Sequence, residues 1–452
     1  MPESELLTRE QCRAIFERVL DAARAAGADE VELTLDAAAS ALTRFANTAI
    51  HQNVSEQHRF ASIRTVVDHR TARASTNRFD DVSIRAAARQ AVEIARAQEP
   101  DPGLLPMVEP AALDEVDRFS AATARATPME RAAVVAESIG HVRNASQTAA
   151  GICASRQSAE AILNSRGVFA YYHDTLGQFS ITAMAGDSSG WAKATAPGRA
   201  RIDALELTRR ASSKAALSEN PRELPPGRYT VILEPPAAQD LLGQMFYDFS
   251  ATAIRDQRSF LTGRIGKKLF GDRIRIADDV YHPLQTGAPF DGEGMPRRRL
   301  ALVENGVVKE VAYSRDAAHR DGVQPTGHGF PLPNEDGEAP MNIVVEGGSQ
   351  SLEAMIGSTG RGILVTRVWY IREVDPYEKI MTGMTRDGTF LIEGGRIVSG
   401  IRNLRFNQSL IELLNNVEEM SPAERASGEE AFDLVVPAMK VRDFRFTETT
   451  KF

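Results

Sequence analysis

The sequence predicts an α+β protein of two domains, residues 1–222 and 223–452. Three observations carry this expectation. An amphipathic helix near the N-terminus runs directly into an alternating strand. A break rich in proline falls at Pro221, Pro225, Pro226 and Gly227. After residue 260, short apolar runs alternate with glycine turns. The chain has 452 residues, and at roughly 100–200 residues per domain that length accommodates two.

The elements follow in order. Thr8 and Gln11 form a capping box. Cys12, Ile15, Phe16, Val19, Leu20 and Ala23 then recur on one helical face, and Gly27 ends the helix. Glu30 to Leu35 alternates apolar and polar, the pattern of a half-buried strand, and Leu42 to Val67 predicts two or three more strands. Asp81 is the expected cap of a second helix, with Ile84, Ala88, Ala91, Val92 and Ala95 facing inward. Pro102, Pro106 and Pro110 make 100–112 a loop. Helices are expected from Pro128 to Asn144 and from Ile202 to Leu217. Between them lies a strand-rich segment, Ala161 to Ala185, that turns at Asn164-Ser165-Arg166-Gly167. Past the break, Tyr229 to Leu233 reads as a strand. Pro235 and Pro236 open a helix expected to reach Gln257, with Ala238, Leu241, Leu242, Met245 and Phe249 on its apolar face. Glu304-Asn305-Gly306 and Glu393-Gly394-Gly395 are hairpin-like turns, and Ser409 to Val417 is a late helix.

Composition narrows the function classes. Hydrophobic residues make up 42% and charged residues 25%, ordinary for a globular chain. The net charge of −8 is opposite to the overall basic balance of nucleic-acid binders. The densest basic run, Arg297-Arg298-Arg299, reads as a strand edge or ion-pair site, and no nucleic-acid partner is expected. The two cysteines, Cys12 and Cys153, give neither a disulfide framework nor a CxxC pair. Cys12 sits on an apolar helix face, where a buried thiol is expected. There is no leader-like apolar stretch before Leu20 and no run of ~20 apolar residues. The expectation is a soluble, cytoplasmic protein without membrane contact.

The usual catalytic patterns are weak. None of the eight histidines pairs at HExxH spacing. A diverged metal site at His319 and His328, joined by Asp321 or His282, stays open, as does a new enzyme site built from His173, His282, His319 and His328, although turn or surface roles are the plainer reading. Ser165, His173 and Asp174 offer the residue types of a triad, but a triad is a geometry. Gly263-Arg264-Ile265-Gly266-Lys267-Lys268 fails the phosphate-loop spacing and follows a helix instead of a strand. Asp278 and Asp279 point to opposite faces if extended, whereas Asp291 and Glu293 can face the same way. No catalytic, cofactor-binding or metal-binding residue is assigned on these grounds.

Several segments, taken in order, resemble the TldD/PmbA family, metallopeptidase-related proteins once described as modulators of DNA gyrase. They are Gly27-Ala28-Asp29-Glu30-Val31, Ala74-Ser75-Thr76-Asn77, Asn164-Ser165-Arg166-Gly167 and Leu224-Pro225-Pro226-Gly227-Arg228-Tyr229. Then come Ser259 to Gly266, Ile276-Ala277-Asp278-Asp279 and Phe290-Asp291-Gly292-Glu293-Gly294 running into Arg298-Arg299. Val303-Glu304-Asn305-Gly306, Pro325-Thr326-Gly327-His328-Gly329 and Ile392-Glu393-Gly394-Gly395 complete the set. The resemblance implies an N-terminal α/β domain with a mixed sheet and flanking helices, and a C-terminal β-rich domain with a few helices.

Peptidase members of that family carry His-Glu-x-x-x-His and a C-terminal cysteine, with the histidines holding zinc and the glutamate activating water. The matching positions here are Leu242, Gly243 and Tyr247, and no cysteine follows Cys153. The departure resembles the PmbA/TldE-like branch. The resemblance therefore implies a non-catalytic subunit with no cofactor of its own. A zinc-bearing TldD-like sister would complete a heterodimer acting on unfolded or extended peptides. The alternatives are a self-assembling homodimer that binds a peptide or other ligand, and a diverged hydrolase with a new site.

Overall fold

The computed structural model describes residues 6–450; the outermost ends of the two expected domains, 1–5 and 451–452, lie outside the described residues. The N-terminal half contains α1 (Arg9–Ala25), β1 (Glu30–Ala46), β2 (Ala49–Val67), β3 (Arg70–Thr76), α2 (Asp81–Arg96), α3 (Ala121–Ala124), α4 (Pro128–Asn144), β4 (Thr148–Asn164), β5 (Phe169–Ala185), β6 (Ser188–Ala196) and α5 (Ala204–Leu217). The strands form one six-stranded sheet in the order β3-β2-β1-β4-β5-β6. Every pairing between them is antiparallel. The mixed sheet expected here is thus an antiparallel one, because neighbouring strands follow each other through tight turns or antiparallel returns.

Alternation along these strands builds a two-sided sheet. Leu33, Leu35 and Ala37 of β1 pack with Ala161 and Leu163 of β4 under α1 and α2. Phe45, Phe179, Ile181 and Ala183 continue this face under α4 and α5. The opposite face carries Glu32, Thr34, Asp36, Glu160 and Ile162 and turns toward the C-terminal half. The helix starts are chemically marked. The Thr8/Gln11 capping box forms, and Thr127 and Glu130 make a second one ahead of Pro128. The cap of α2 is Asp80, one residue before the expected Asp81, because the Asp80 side chain accepts the Ser83 N–H. Cys12 is buried in the α1 core, and burial pushes its thiol up to about 11.

Two hairpins close on residue pairs other than the expected glycine turns. Asn47-Thr48 joins β1 to β2 and Asp68-His69 joins β2 to β3, all four with positive φ. Both central residues are left-handed, as hairpin twist requires. β3 pairs only with residues 61–67 of β2, so among the described residues the outer side of β2 is open over 49–60.

The C-terminal half contains β7 (Gly227–Leu233), α6 (Pro235–Leu242), α7 (Ala251–Arg255), β8 (Ile276–Asp278), β9 (Leu300–Glu304), β10 (Val307–Val308), α8 (Arg315–Asp321), β11 (Ile343–Val345) and α9 (Leu352–Gly357). It continues with β12 (Arg361–Asp375), β13 (Ile380–Glu393), β14 (Arg396–Gly400), β15 (Leu404–Ser409), α10 (Leu410–Asn415), β16 (Val417–Met420), β17 (Glu424–Ala426), β18 (Leu434–Val436) and β19 (Met439–Thr449). One sheet runs β10-β9-β8-β11-β18-β17; the other runs β12-β7-β19-β15-β13-β14. Parallel pairs occur in these sheets, β11 with β18 and β12 with β7. β12 also pairs with β13, which closes the main path of the second sheet on itself, with β14 and β16 each flanking one strand. β12, β13 and β19 are longer than the short strands expected. The Asn305-Gly306 and Gly394-Gly395 turns form with positive φ at both positions, as the sequence predicts.

The helix expected from Pro235 to Gln257 is broken. α6 ends at Leu242, a 3₁₀ segment covers Gly243–Asp248, and α7 begins at Ala251. Tertiary bonds hold the break. Asp248 pairs with Lys379, and its side chain accepts the Phe260 N–H. The expected apolar face survives: Ala238, Leu241, Leu242, Met245 and Phe249 are all in the large core.

Candidate functional site

The Leu242–Tyr247 segment lies under a loop built from residues 427–433. Asp240, on α6, accepts the backbone N–H groups of Glu429, Glu430 and Ala431. Gln239 donates to the Ala431 and Phe432 carbonyls, and Gln244 to the Glu430 carbonyl. Burial drives the Asp240 carboxyl up to about 6 against the pull of those three donors. A Cβ on Gly243 would meet Ala431 Cβ at 2.4 Å, so the loop seats on the missing side chain. Leu242 is fully buried, whereas Tyr247 is 57% exposed. These three residues offer no imidazole, carboxylate or thiolate, and the segment does not fit a zinc ion. Among the described residues, no three His, Cys, Asp or Glu side chains are placed to hold a metal.

The histidines scatter. His319 is exposed on α8, and His282 is half-buried, its Nδ1 accepting the Leu284 N–H. His173 is exposed and stacks on Phe119 at 4.9 Å. His328 is buried with Asp278, Nε2 to Oδ1 at 3.1 Å, although the two atoms are not aligned as a hydrogen bond. Asp278 Oδ2 accepts the Met341 and Asn342 N–H groups. Burial pushes the Asp278 carboxyl up, but His328, Arg297 and the Asn342 N–H outweigh it and hold it below its ordinary value. Asp279 turns the other way, capping the Tyr281 N–H and facing Arg299 at 3.6 Å, as extended backbone requires.

Asp291 and Glu293 do face one point. Asp291 Oδ2 accepts the Gly329 N–H, and a Cβ on Gly329 would lie 2.5 Å from Glu293 Oε1. Glu293 also accepts the Arg315 N–H. Burial first, and Asp291 second, push the Glu293 carboxyl up to about 7. The pair thus locks two loops together around a residue that must lack a side chain.

The remaining motifs are structural. Ser165 Oγ accepts the Val31 N–H, while Asn164 closes the turn through Arg166 and Val168; Asp174 binds Ser158. No Ser165–His173–Asp174 triad assembles. In the Gly263–Lys268 turn, Gly266 donates its N–H to Val308 and Arg264 faces Glu378. Arg297 donates to the Phe290 carbonyl, and the exposed Arg298 and Arg299 face Glu310 and Asp279, so the basic run makes ion pairs along the surface.

One partly open pocket borders the polar face of the N-terminal sheet. A cavity of about 520 Å³ lies between the polar face of the N-terminal sheet and the C-terminal half. Asp36, Glu160, Asp291, Arg297, Arg425 and Asp433 are its charged wall residues. Sequence reading missed it: Glu160 belongs to an alternating strand and carries no motif.

Comparison with known proteins agrees with this architecture. The chain matches the PmbA/TldA metallopeptidase domain 1 over residues 32–95, the central domain over 110–219 and the C-terminal domain over 226–448. It is 24% identical over 393 residues to a metalloprotease, PmbA, of Escherichia coli O157:H7, covering 82% of this chain and 83% of that protein. A metalloprotease of Methanothermobacter thermautotrophicus is 25% identical over 284 residues, 58% of this chain; the match spans only 60% of that relative's length. TldE from Thermococcus kodakarensis superposes with a TM-score of 0.87 at 21% identity, covering 96% of this chain and 100% of that one. That likeness establishes the fold. With all three domain models matched in order, the chain belongs to the PmbA/TldD family.

Proposed function

We propose that this chain is the non-catalytic, PmbA/TldE-like subunit of a two-chain zinc metallopeptidase acting on unfolded or extended peptides. A TldD-like sister would carry the zinc and the reactive water. One observation carries the reading. At the positions where the resemblance places His-Glu-x-x-x-His in peptidase members, this chain has a buried Leu242, a Gly243 pressed against Ala431, and an exposed Tyr247. A glutamate at 243 has no room, so the segment serves packing. The open side of β2 over 49–60 supports a role in holding extended peptide, since an unpaired strand edge can hydrogen-bond an added strand.

The test is metal and peptidase analysis of the purified chain, alone and coexpressed with a TldD-like sister from the same genome. The expected result is no stoichiometric zinc and no hydrolysis for the lone chain, and one zinc with peptidase activity for the pair. Zinc at one per chain in the lone protein, or hydrolysis by it, overturns the proposal. A stable homodimer that ignores the sister also overturns it and favours a self-assembling binding protein.

A further inference from the structure

The polar face of the N-terminal sheet contains an arrangement that folding alone disfavours. Asp36 of β1 and Glu160 of β4 are directly opposed cross-strand partners. Like charges in that position repel. Asp36 has a partner in His58, with Nε2 at 3.3 Å from its carboxylate. Glu160 has none among the described residues: only longer-range charges act on it, Asp36 and Asp174 unfavourably, Arg156 and Arg297 favourably. The side chain is half-buried and borders the cavity, where it keeps accessible surface. Burial, reinforced by the two aspartates, pushes its carboxyl above the ordinary range.

The other wall carboxylates are already engaged. Asp433 is held by Arg425 at 2.7 Å and by the Thr195 hydroxyl. Asp291 accepts the N–H groups of Glu293, Met295 and Gly329. The wall around Glu160 is mixed: Ile162, Ala288, Phe290, Met341 and Phe432 supply apolar surface, and the cations Arg297 and Arg425 also line it, Arg425 already held by Asp433. Its volume falls in the usual range for small-ligand sites.

We propose that this cavity binds a cationic nitrogen carried on an apolar stem, with Glu160 as its counter-ion. A half-buried carboxylate with a like charge opposite it and no protein partner carries a desolvation and repulsion cost, and an entering cation offsets it. A long aliphatic stem packs on the apolar wall while its charged head reaches the carboxylate. A lysine or arginine side chain of a peptide has this chemistry. Only the peptide as source of the cation rests on the function proposed above. The cavity belongs to this chain alone and is tested without zinc or sister, so failure here leaves that function standing.

The test is calorimetric titration of the full chain with acetyl-lysine-methylamide, acetyl-arginine-methylamide and acetyl-norleucine-methylamide. At least one cationic probe is expected to bind tenfold or more tighter than norleucine. In Glu160→Gln, which keeps the side-chain shape, that preference should vanish while the melting temperature stays or rises. Equal binding of norleucine, a preference that survives Glu160→Gln, or no binding of either cationic probe at millimolar concentration overturns the proposal.

Discussion

At the residue scale, the consequential side chains are buried charges whose surroundings are supplied by distant segments. Asp278 and His328 are fully buried against each other. Removing the ring empties buried space beside Asp278 Oδ1, while Oδ2 keeps the Met341 and Asn342 N–H groups. His328→Ala is therefore expected to destabilise the chain by about 1–3 kcal/mol, read as a shift in urea midpoint; a change below about 0.5 kcal/mol contradicts this account. Glu293 gives a pH signature. Its folded value of about 7 lies above the ordinary 4.5. Between those values the folded chain keeps a proton that the unfolded chain has lost. Stability should therefore fall as pH rises through that window, and level off above it, by about 3 kcal/mol from this group. Glu293→Gln should remove that part of the fall, measured by denaturation at pH 5 and pH 8. An unchanged pH profile would show that the carboxyl is not buried as described.

At the element scale, the loop over α6 fixes the Leu242–Tyr247 segment. Asp240 fixes residues 429–431 through three backbone donors. Asp240→Ala should leave those donors unpaired, at roughly 1–3 kcal/mol in total. Amide exchange at 429–431 should speed up more than in β12 or β13. Uniform acceleration across the chain would instead mean global destabilisation. Gly243→Glu should be worse tolerated than Tyr247→His, because only the first position lacks space. Thermal melts of the two variants compare them directly.

At the scale of the whole molecule, the two halves are joined by buried ionic and hydrogen-bonded contacts. Arg118 reaches the carbonyls of Val280 and Gly287. Arg73 bridges Glu32 and the Leu332 carbonyl, and Arg367 binds Asp387, which accepts from Ser189. Arg367 also lies over Trp191 and Trp369. These links predict one cooperative unfolding transition for the wild type. Arg118→Ala strands two buried carbonyls and should cost about 2–4 kcal/mol. Two separated transitions in wild-type calorimetry would show that the halves unfold independently.

The sequence by itself determined the helix starts, the apolar faces and the glycine turns, because these depend on neighbours within a few residues. Thr8 finds Gln11, and Leu241 and Leu242 fall on one stripe, whatever the rest of the chain does. It also determined that Leu242, Gly243 and Tyr247, and no histidine, stand on the segment after Pro235. Only the tertiary structure decided the rest. The helix after Pro235 breaks because Asp248 is claimed by Lys379 from far along the chain. The N-terminal sheet is antiparallel throughout its named strands, a matter of pairing that residue patterns do not encode. Asn47-Thr48 and Asp68-His69 form hairpin turns without glycine, because strand register overrides local preference. Glu160 reads as an ordinary polar residue of a strand. It becomes an unpartnered counter-ion only when β1 sets Asp36 opposite it and the C-terminal half closes over both.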